Sequence, residues 1–270
     1  MNFYHGLYDA LQSDDVACKE RIVAQASVYC NQKGVKIKND APLVPLSKPS
    51  YAAKCRIVVP QKLSRRKAFD TKEGLATLLH AVAHIEYSAI DLAIDAAYRF
   101  RDMPLAFTRD WLEVAADEIR HFQMLEAMLH DLGYAYGDFA VHMGLFDAAK
   151  QTQHDVLERM AIVPRFYEAT GLDVNPQIIK KLQKASHFPP VQAVIEALQT
   201  IYDEEIDHVR KGDRWFKYVC DKRGEAYTIF FDIVARHGLS FERPHIDVQG
   251  RKAAGFSCDE IRKMGAETCE

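Results

Sequence analysis

The sequence predicts an all-α protein: a four-helix bundle with extra helices and irregular extensions at both ends. Four long windows repeat apolar residues at the helical period of about 3.6. Between residues 71 and 238, few segments alternate apolar and polar residues as a half-buried strand does. The connections between the windows are short, which favours antiparallel packing of neighbouring helices into a bundle.

The chain of 270 residues divides into three regions. Residues 1–70 hold an amphipathic helical stretch that ends at Gly34, followed by an extended arm in which four prolines interrupt regular helix. We expect this arm to pack on the body of the protein. Residues 71–240 hold the bundle, and residues 241–270 form a tail with one short helix.

The long windows are bounded by residues that commonly begin or end helices. Pro104 follows the first window, and Gly133 and Gly171 follow the second and third. The windows cover residues 71–100, 106–132, 147–170 and 190–220, with shorter helices expected over 178–185 and 227–236.

Composition limits the classes of function. Apolar residues make up 48% and charged residues 27%, which is typical of a globular protein. No apolar run approaches the roughly 20 residues that cross a bilayer, and we expect no membrane partner. The net charge of −3 gives no general basis for binding nucleic acid, so a nucleic-acid partner is disfavoured. The six cysteines form no CxxC pair and predict reduced thiols, and the start of the chain shows no secretory signal; we therefore expect a cytoplasmic protein.

Three of the apolar stripes are interrupted at their centres by residues that ionise. Glu86 interrupts the first stripe, Glu118 and His121 the second, and Glu205 and His208 the fourth. A buried, unpaired carboxylate costs several kcal/mol, so each of these groups must be protonated, paired or bound to a cation. Three such interruptions at one depth of a bundle favour a bound cation.

Two glutamates compete to supply the third helix's ligand. Glu168 follows an apolar row, whereas Glu158 lies on a largely polar face. Spacing also favours Glu168, since it precedes Glu205 by 37 residues and Glu86 precedes Glu118 by 32, whereas Glu158 precedes Glu205 by 47. The extra helix between the third and fourth windows weakens the comparison of spacings, so Glu158 stays an alternative.

Four glutamates and two histidines then form one predicted metal site. Residues three apart lie on one face of a helix, so each Glu-x-x-His pair can reach the same metal or neighbouring metals. One Glu from each of two helices, with Glu-x-x-His from the other two, is the pattern of di-iron and di-manganese carboxylate proteins. Carboxylate and imidazole ligands without thiolates suit two Fe or Mn ions, or a mixed pair. The predicted ligands are Glu86, Glu118, His121, Glu168, Glu205 and His208.

Several segments resemble the ferritin-like superfamily and, more closely, an uncharacterised bacterial ferritin-like family known as domain of unknown function 455. The resemblance implies a ferritin-like four-helix bundle with a di-metal site, covers most of residues 42–240, and puts the third-helix carboxylate at Glu168. Thr170 departs from the motif, which has Arg at that position. The segments are LLHAVAHIEYSAIDLAIDAAYRF (78–100), ADEIRHF (116–122), LGYAYGDF (132–139), RMAIVPRFYEATGLDVNP (159–176) and DEEIDHVRKGDRWF (203–216).

Three functions compete on this basis. The first is an O₂-dependent oxidase or monooxygenase that uses an unknown small-molecule substrate and an unknown electron donor. Relatives in the superfamily include a hydroxylase of modified tRNA, so a tRNA-modifying activity is a variant of this function. The second is an iron-binding or ferroxidase-type protein without an organic substrate. The third is an interaction protein with a metal-free core, which the complete ligand set disfavours.

The extensions at both ends would obstruct a ferritin-type cage, so a monomer or dimer is expected. Other polar residues near the predicted ligands have less specific interpretations. His80 and His84 are interpreted as a polar interface more readily than as groups that orient ligands, and three tyrosines as packing residues more readily than as redox-active groups. The tyrosines are Tyr87, Tyr167 and Tyr202.

Overall fold

The computed structural model describes residues 2–39, 41–63, 67–241 and 245–269, and the secondary structure in these ranges is helical. Within these ranges, extended chain pairs at an isolated β-bridge between Ile57 and Val141. The chain forms two compact units, residues 1–150 and 151–270. No helix in the described ranges has the length and apolar character that crossing a bilayer requires. The all-α prediction is confirmed.

The first unit is organised around two long helices. Their five-residue connection makes α3 and α4 an antiparallel pair. Helix α3 begins where the Thr71 hydroxyl accepts the N–H of Gly74, and from Leu75 to Arg99 only Ala81 and Ile85 are not buried. The helices of this unit are α1 (Phe3–Gln12), α2 (Val16–Cys30), α3 (Lys72–Arg99), α4 (Leu105–Asp131) and α5 (Gly144–Gln151), whose last residue begins the second unit.

Polar contacts to α3 fix the N-terminal helices and the arm. The Lys19 ammonium on α2 is buried, where it donates to the Ala10 carbonyl and lies 2.5 Å from Asp91. From the arm, the Ser50 hydroxyl donates to the other oxygen of Asp91 at 2.6 Å, and the Val44 N–H donates to the Tyr98 hydroxyl at 3.0 Å. A buried ammonium needs such partners, so this segment has one favoured position on α3.

The second unit is built on a broken helix and the long helix α8. Asp155 caps α6 by accepting the N–H groups of Leu157 and Glu158. The chain then forms one π-helical segment, Val163–Glu168, here called the π turn, and continues directly into α7. The helices are α6 (Val156–Ile162), α7 (Ala169–Leu182), α8 (Pro190–Arg223), α9 (Ile229–Arg236), α10 (Val248–Ala253) and α11 (Cys258–Lys263).

The predicted bounds of the third long helix, 147–170, are wrong. The helix begins at Val156 and does not end at Gly171, whose backbone stays helical, but continues to Leu182. Buried Leu172 and Leu182 hold this continuation in place, and Pro176 is accommodated inside it. The expected separate helix over 178–185 is therefore the end of α7 and a short 3₁₀ turn.

Buried arginines attach the C-terminal segment, residues 245–269, to the rest of the second unit. Arg165 lies 2.5 Å from Glu260 and 3.0 Å from Asp213, and its guanidinium lies over three phenylalanine rings. Arg251 makes a two-bond contact with Asp173 at 3.0 and 2.6 Å. The segment contains two short helices where the sequence predicted one.

The cysteines differ from the sequence prediction. Cys258 and Cys269 form a disulfide, whereas the other four are free. The expectation of six reduced thiols is wrong for this pair, so the cysteines no longer support a cytoplasmic location. Proximity explains the pairing, because α11 and the turn after it bring the two Cα atoms to 5.5 Å.

Candidate metal centre

Glu86, Glu118 and His121 form a buried cluster in the first unit. Glu86 lies in the middle of α3, and Glu118 and His121 lie one turn apart on α4. The His121 Nδ1 atom is 3.2 Å from Glu86 Oε2 and 3.4 Å from Glu118 Oε2. One ligand atom from each residue lies within 4.8 Å of the others, so a single cation could bind all three.

The two carboxylates of this cluster are buried, so they need positive charge close to them. Burial and the nearby charge of Glu118 raise the pKa of Glu86 well above its ordinary value. Burial by itself would lower the pKa of His121, but hydrogen bonds to Glu118 and Glu86 raise it to about 11. Two carboxylates thus share one imidazole in a nearly dry core, and protons supply positive charge that a metal ion can also supply.

The second predicted pair lies on α8 in the second unit. The His208 Nδ1 atom is 3.0 Å from Glu205 Oε2, His208 is fully buried and Glu205 is largely buried. Helical spacing of three residues sets this contact, as it does for Glu118 and His121. The sequence-predicted residues are therefore paired within each unit, whereas the prediction that all six form one site stays a prediction.

The two candidates on the third helix have different surroundings. Glu168 is the last residue of the π turn, and its Oε2 atom is buried. Glu158 lies in a cluster of basic groups, with its carboxylate 3.2 Å from His237, 3.4 Å from Arg236 and 3.5 Å from His154. The exposed Arg236 thus compensates the charge of Glu158, and Glu168 stays the proposed ligand.

His80 and His84 contact the segment that follows α4. The Gly137 N–H donates to His80 Nε2 at 2.9 Å. The two ring nitrogens of His84 bond the Tyr136 hydroxyl and the His142 carbonyl, each at 2.9 Å. These contacts form a polar packing interface, as the sequence interpretation preferred.

Sequence reasoning missed two features beside the predicted ligands. The first is Tyr136, whose ring stacks on Tyr87 with centroids 5.3 Å apart. The second is the π turn, which packs its Pro164 against Gly212 of α8. Tyr136 lies in a loop, where no periodic pattern of residues could have indicated its position. The π turn could have been suspected from Pro164, a proline inside an apolar helical window.

The chain is similar to proteins of one family along most of its length. The model of the family described as "Protein of unknown function (DUF455)" matches residues 12–262. An uncharacterized protein of Haemophilus influenzae is 38% identical over 236 residues, which cover 84% of this chain and 80% of the relative. No solved structure matches the chain.

Proposed function

Since this chain belongs to the DUF455 family, we propose, from that family and the geometry of its Glu-x-x-His helices, that it is a ferritin-like di-metal carboxylate protein. Two Fe or Mn ions would be held by Glu86 and Glu168 with the two Glu-x-x-His pairs. The activity proposed is an O₂-dependent oxidase or monooxygenase.

The burial of Glu86 and Glu118 in the same cluster is the main support for the proposal. Both carboxylates lie in the core of the first unit, within 3.4 Å of the same ring nitrogen of His121. Two carboxylates and one imidazole cannot all be charged there without a net negative charge, whose burial is costly. A divalent cation would turn this arrangement into a neutral or positive one, and the donor atoms fit Fe(II) or Mn(II).

The position of each proposed ligand determines which of the two cations it would bind. Glu86, Glu118 and His121 would bind one cation, and buried neighbours such as Val114 and Leu125 exclude water from their helix faces. Glu205 and His208 would bind the second cation with Glu168. When bound, a pair of redox-active ions supplies the electrons for reaction with O₂.

The proposal is tested by measuring O₂ uptake in protein loaded anaerobically with Fe(II). We expect the wild type to consume O₂, and Glu86→Ala to lose metal and O₂ uptake together. Glu158→Ala is the matched control, because it removes a glutamate whose carboxylate lies 3.4 Å from the exposed Arg236. Equal O₂ uptake by wild type and Glu86→Ala would contradict the proposal.

Substrate dependence separates the oxidase from an iron-handling protein. An oxidase or monooxygenase continues to consume O₂ while an organic substrate and an electron donor are supplied. A ferroxidase-type protein consumes O₂ in proportion to added Fe(II) and then stops. Uptake that follows Fe(II) alone, whatever organic compounds are added, would replace the first activity by the second.

A further inference from the structure

A large cleft lies in the second unit, and none of the residues proposed as metal ligands lines it. It has a volume of about 860 Å³ and is lined by α7, the first half of α8, and the C-terminal segment. This is the size of small-molecule sites in proteins. We infer that the cleft binds a small uncharged molecule that carries hydroxyl or amide groups.

The floor of the cleft is built by fixed hydrogen bonds. The Tyr202 hydroxyl on α8 donates to the Asp247 carboxylate, whose other oxygen accepts the Gly250 N–H at 3.0 Å. A β-carbon at Gly250 would stand 2.4 Å from Asp247 Oδ2 and 2.8 Å from the Tyr202 hydroxyl oxygen. Glycine at this position therefore lets the floor close, and the shape of the cleft is set before a ligand binds.

The lining of the cleft includes three carboxylates and one lysine. Asp173 is neutralised by its two-bond contact with Arg251 and accepts the Asp247 N–H at 2.8 Å. At the rim, the exposed side chains Lys180 and Glu267 carry opposite charges. The Asp247 carboxylate leaves an excess of negative charge, which disfavours an anion in the cleft. Both oxygens of Asp247 and of Asp173 already accept hydrogen bonds, so neither carboxylate offers an unbonded oxygen to a cation.

The groups that remain for a ligand are amides and hydrocarbon. Gln177 and Gln183 line the cleft, and each amide offers both a donor and an acceptor, whereas the Gln199 amide already donates to Asp203 at 3.0 Å. Ile179 and Ile246 provide apolar surface beside them. Hydroxyl and amide groups also both donate and accept, so a neutral molecule that combines them with a hydrocarbon frame matches this lining.

The outer wall of the cleft belongs to a closed loop. Residues 265–268 line the cleft and lie between the disulfide partners Cys258 and Cys269. Within the loop, the N–H groups of Gly265 and Ala266 donate to carbonyls of α11. The wall is thus tied at both ends, which lowers the entropic cost of ordering it around a ligand.

The test uses one molecular frame in three charge states. N-acetylglucosamine and glucose serve as neutral probes, glucosamine as the cation and glucose 6-phosphate as the anion, each titrated to millimolar concentration. The methyl NMR signals of Ile179, Ile246 and Val248 report binding in the cleft, and Ile85 in the first unit reports non-specific effects. We expect the neutral probes to shift the cleft signals at lower concentration than either charged probe.

Variants tie the response to the cleft. Gln177→Ala should weaken N-acetylglucosamine binding about threefold to tenfold, the effect of one lost hydrogen bond. Thr268→Trp, at the exposed rim, should block it, whereas Val174→Ala, exposed on the same helix as Gln177, should leave it unchanged. No shift with any probe, stronger binding of a charged probe, or full binding by Thr268→Trp would each overturn the inference. Metal content is unaffected by these outcomes, so the proposed function stands or falls separately.

Discussion

The ring of Pro164 occupies the space that a side chain at Gly212 would need: a β-carbon there would stand 2.2 Å from Pro164 Cβ and 2.4 Å from Cγ. Pro164 belongs to the π turn that ends at Glu168, and Gly212 follows His208 by one turn of α8. This contact sets how closely the segment carrying Glu168 approaches the helix carrying His208. π-helical segments of this kind are often found at functional sites.

Gly212→Ala should therefore disturb both packing and metal binding. We expect the free energy of unfolding to fall by about 1–3 kcal/mol, the usual cost of overpacking a core, and the metal content to fall as well. Gly171→Ala is the matched control, because a β-carbon at this helical glycine meets nothing within 4 Å. Its stability should be unchanged or raised by up to about 1 kcal/mol. Urea denaturation and elemental analysis check both variants, and wild-type behaviour of Gly212→Ala would show that the contact is dispensable.

Glu86→Gln should abolish metal binding without lowering the free energy of unfolding. Burial makes the charge of Glu86 costly, so we expect the metal-free variant to be as stable as wild type, or more stable by about 1 kcal/mol, while its metal binding is lost. Asp173→Asn is the comparison, because the carboxylate of Asp173 pairs with the buried Arg251. We expect this variant to lose about 3 kcal/mol of the free energy of unfolding. Urea denaturation measures both. A loss of that size in Glu86→Gln would instead identify Glu86 and His121 as a structural ion pair.

His80 should make the first unit sensitive to acid. Burial lowers the pKa of His80 to about 4, below its ordinary value of about 6.5. Because the folded-state pKa is depressed, the neutral ring's contribution is complete above about pH 6.5 and is lost as the pH falls toward about 4. His80→Gln, which keeps an acceptor for the Gly137 N–H, should remove about 1–3 kcal/mol of this pH dependence.

Thermal denaturation between pH 4 and 8 measures the effect of His80→Gln. His130→Gln, which changes an exposed histidine on α4, is the control and should leave the pH dependence of stability unchanged. An unchanged acid transition in His80→Gln would mean that the imidazole at position 80 is not held neutral by the fold.

The disulfide should stabilise the wall of the cleft. In the chain-entropy description, closing a loop of this length contributes about 3 kcal/mol. The double variant Cys258→Ser with Cys269→Ser should lose stability of that order and show faster amide hydrogen exchange at residues 265–268. Cys18→Ser, at a free cysteine in the first unit, is the control. Unchanged exchange in the double variant would show that hydrogen bonds alone hold the wall.

The sequence predicted the parts of this protein that depend on periodicity. The helices α3, α4 and α8 were found within a few residues of their bounds, and Glu118 with His121 could be placed on one buried face, because a 3.6-residue repeat determines both. The family resemblance to domain of unknown function 455 is confirmed as well.

The parts that depend on contacts distant in sequence were missed. Gly171 looks like a helix end, but buried leucines carry α7 past it. The pairing of Cys258 with Cys269 depends on how α11 folds back, and the cleft depends on the approach of Asp247 to Tyr202. No local pattern encodes these contacts.

The most direct test of the account is the metal content of the chain. Protein purified without chelator is analysed for Fe and Mn beside Glu118→Ala and Glu205→Ala, one substitution in each Glu-x-x-His pair, with Glu158→Ala as control. We expect about two metal ions per chain in the wild type and in Glu158→Ala, and loss of metal in both test variants. A wild type that holds no Fe or Mn, even after anaerobic loading with Fe(II), would contradict this expectation.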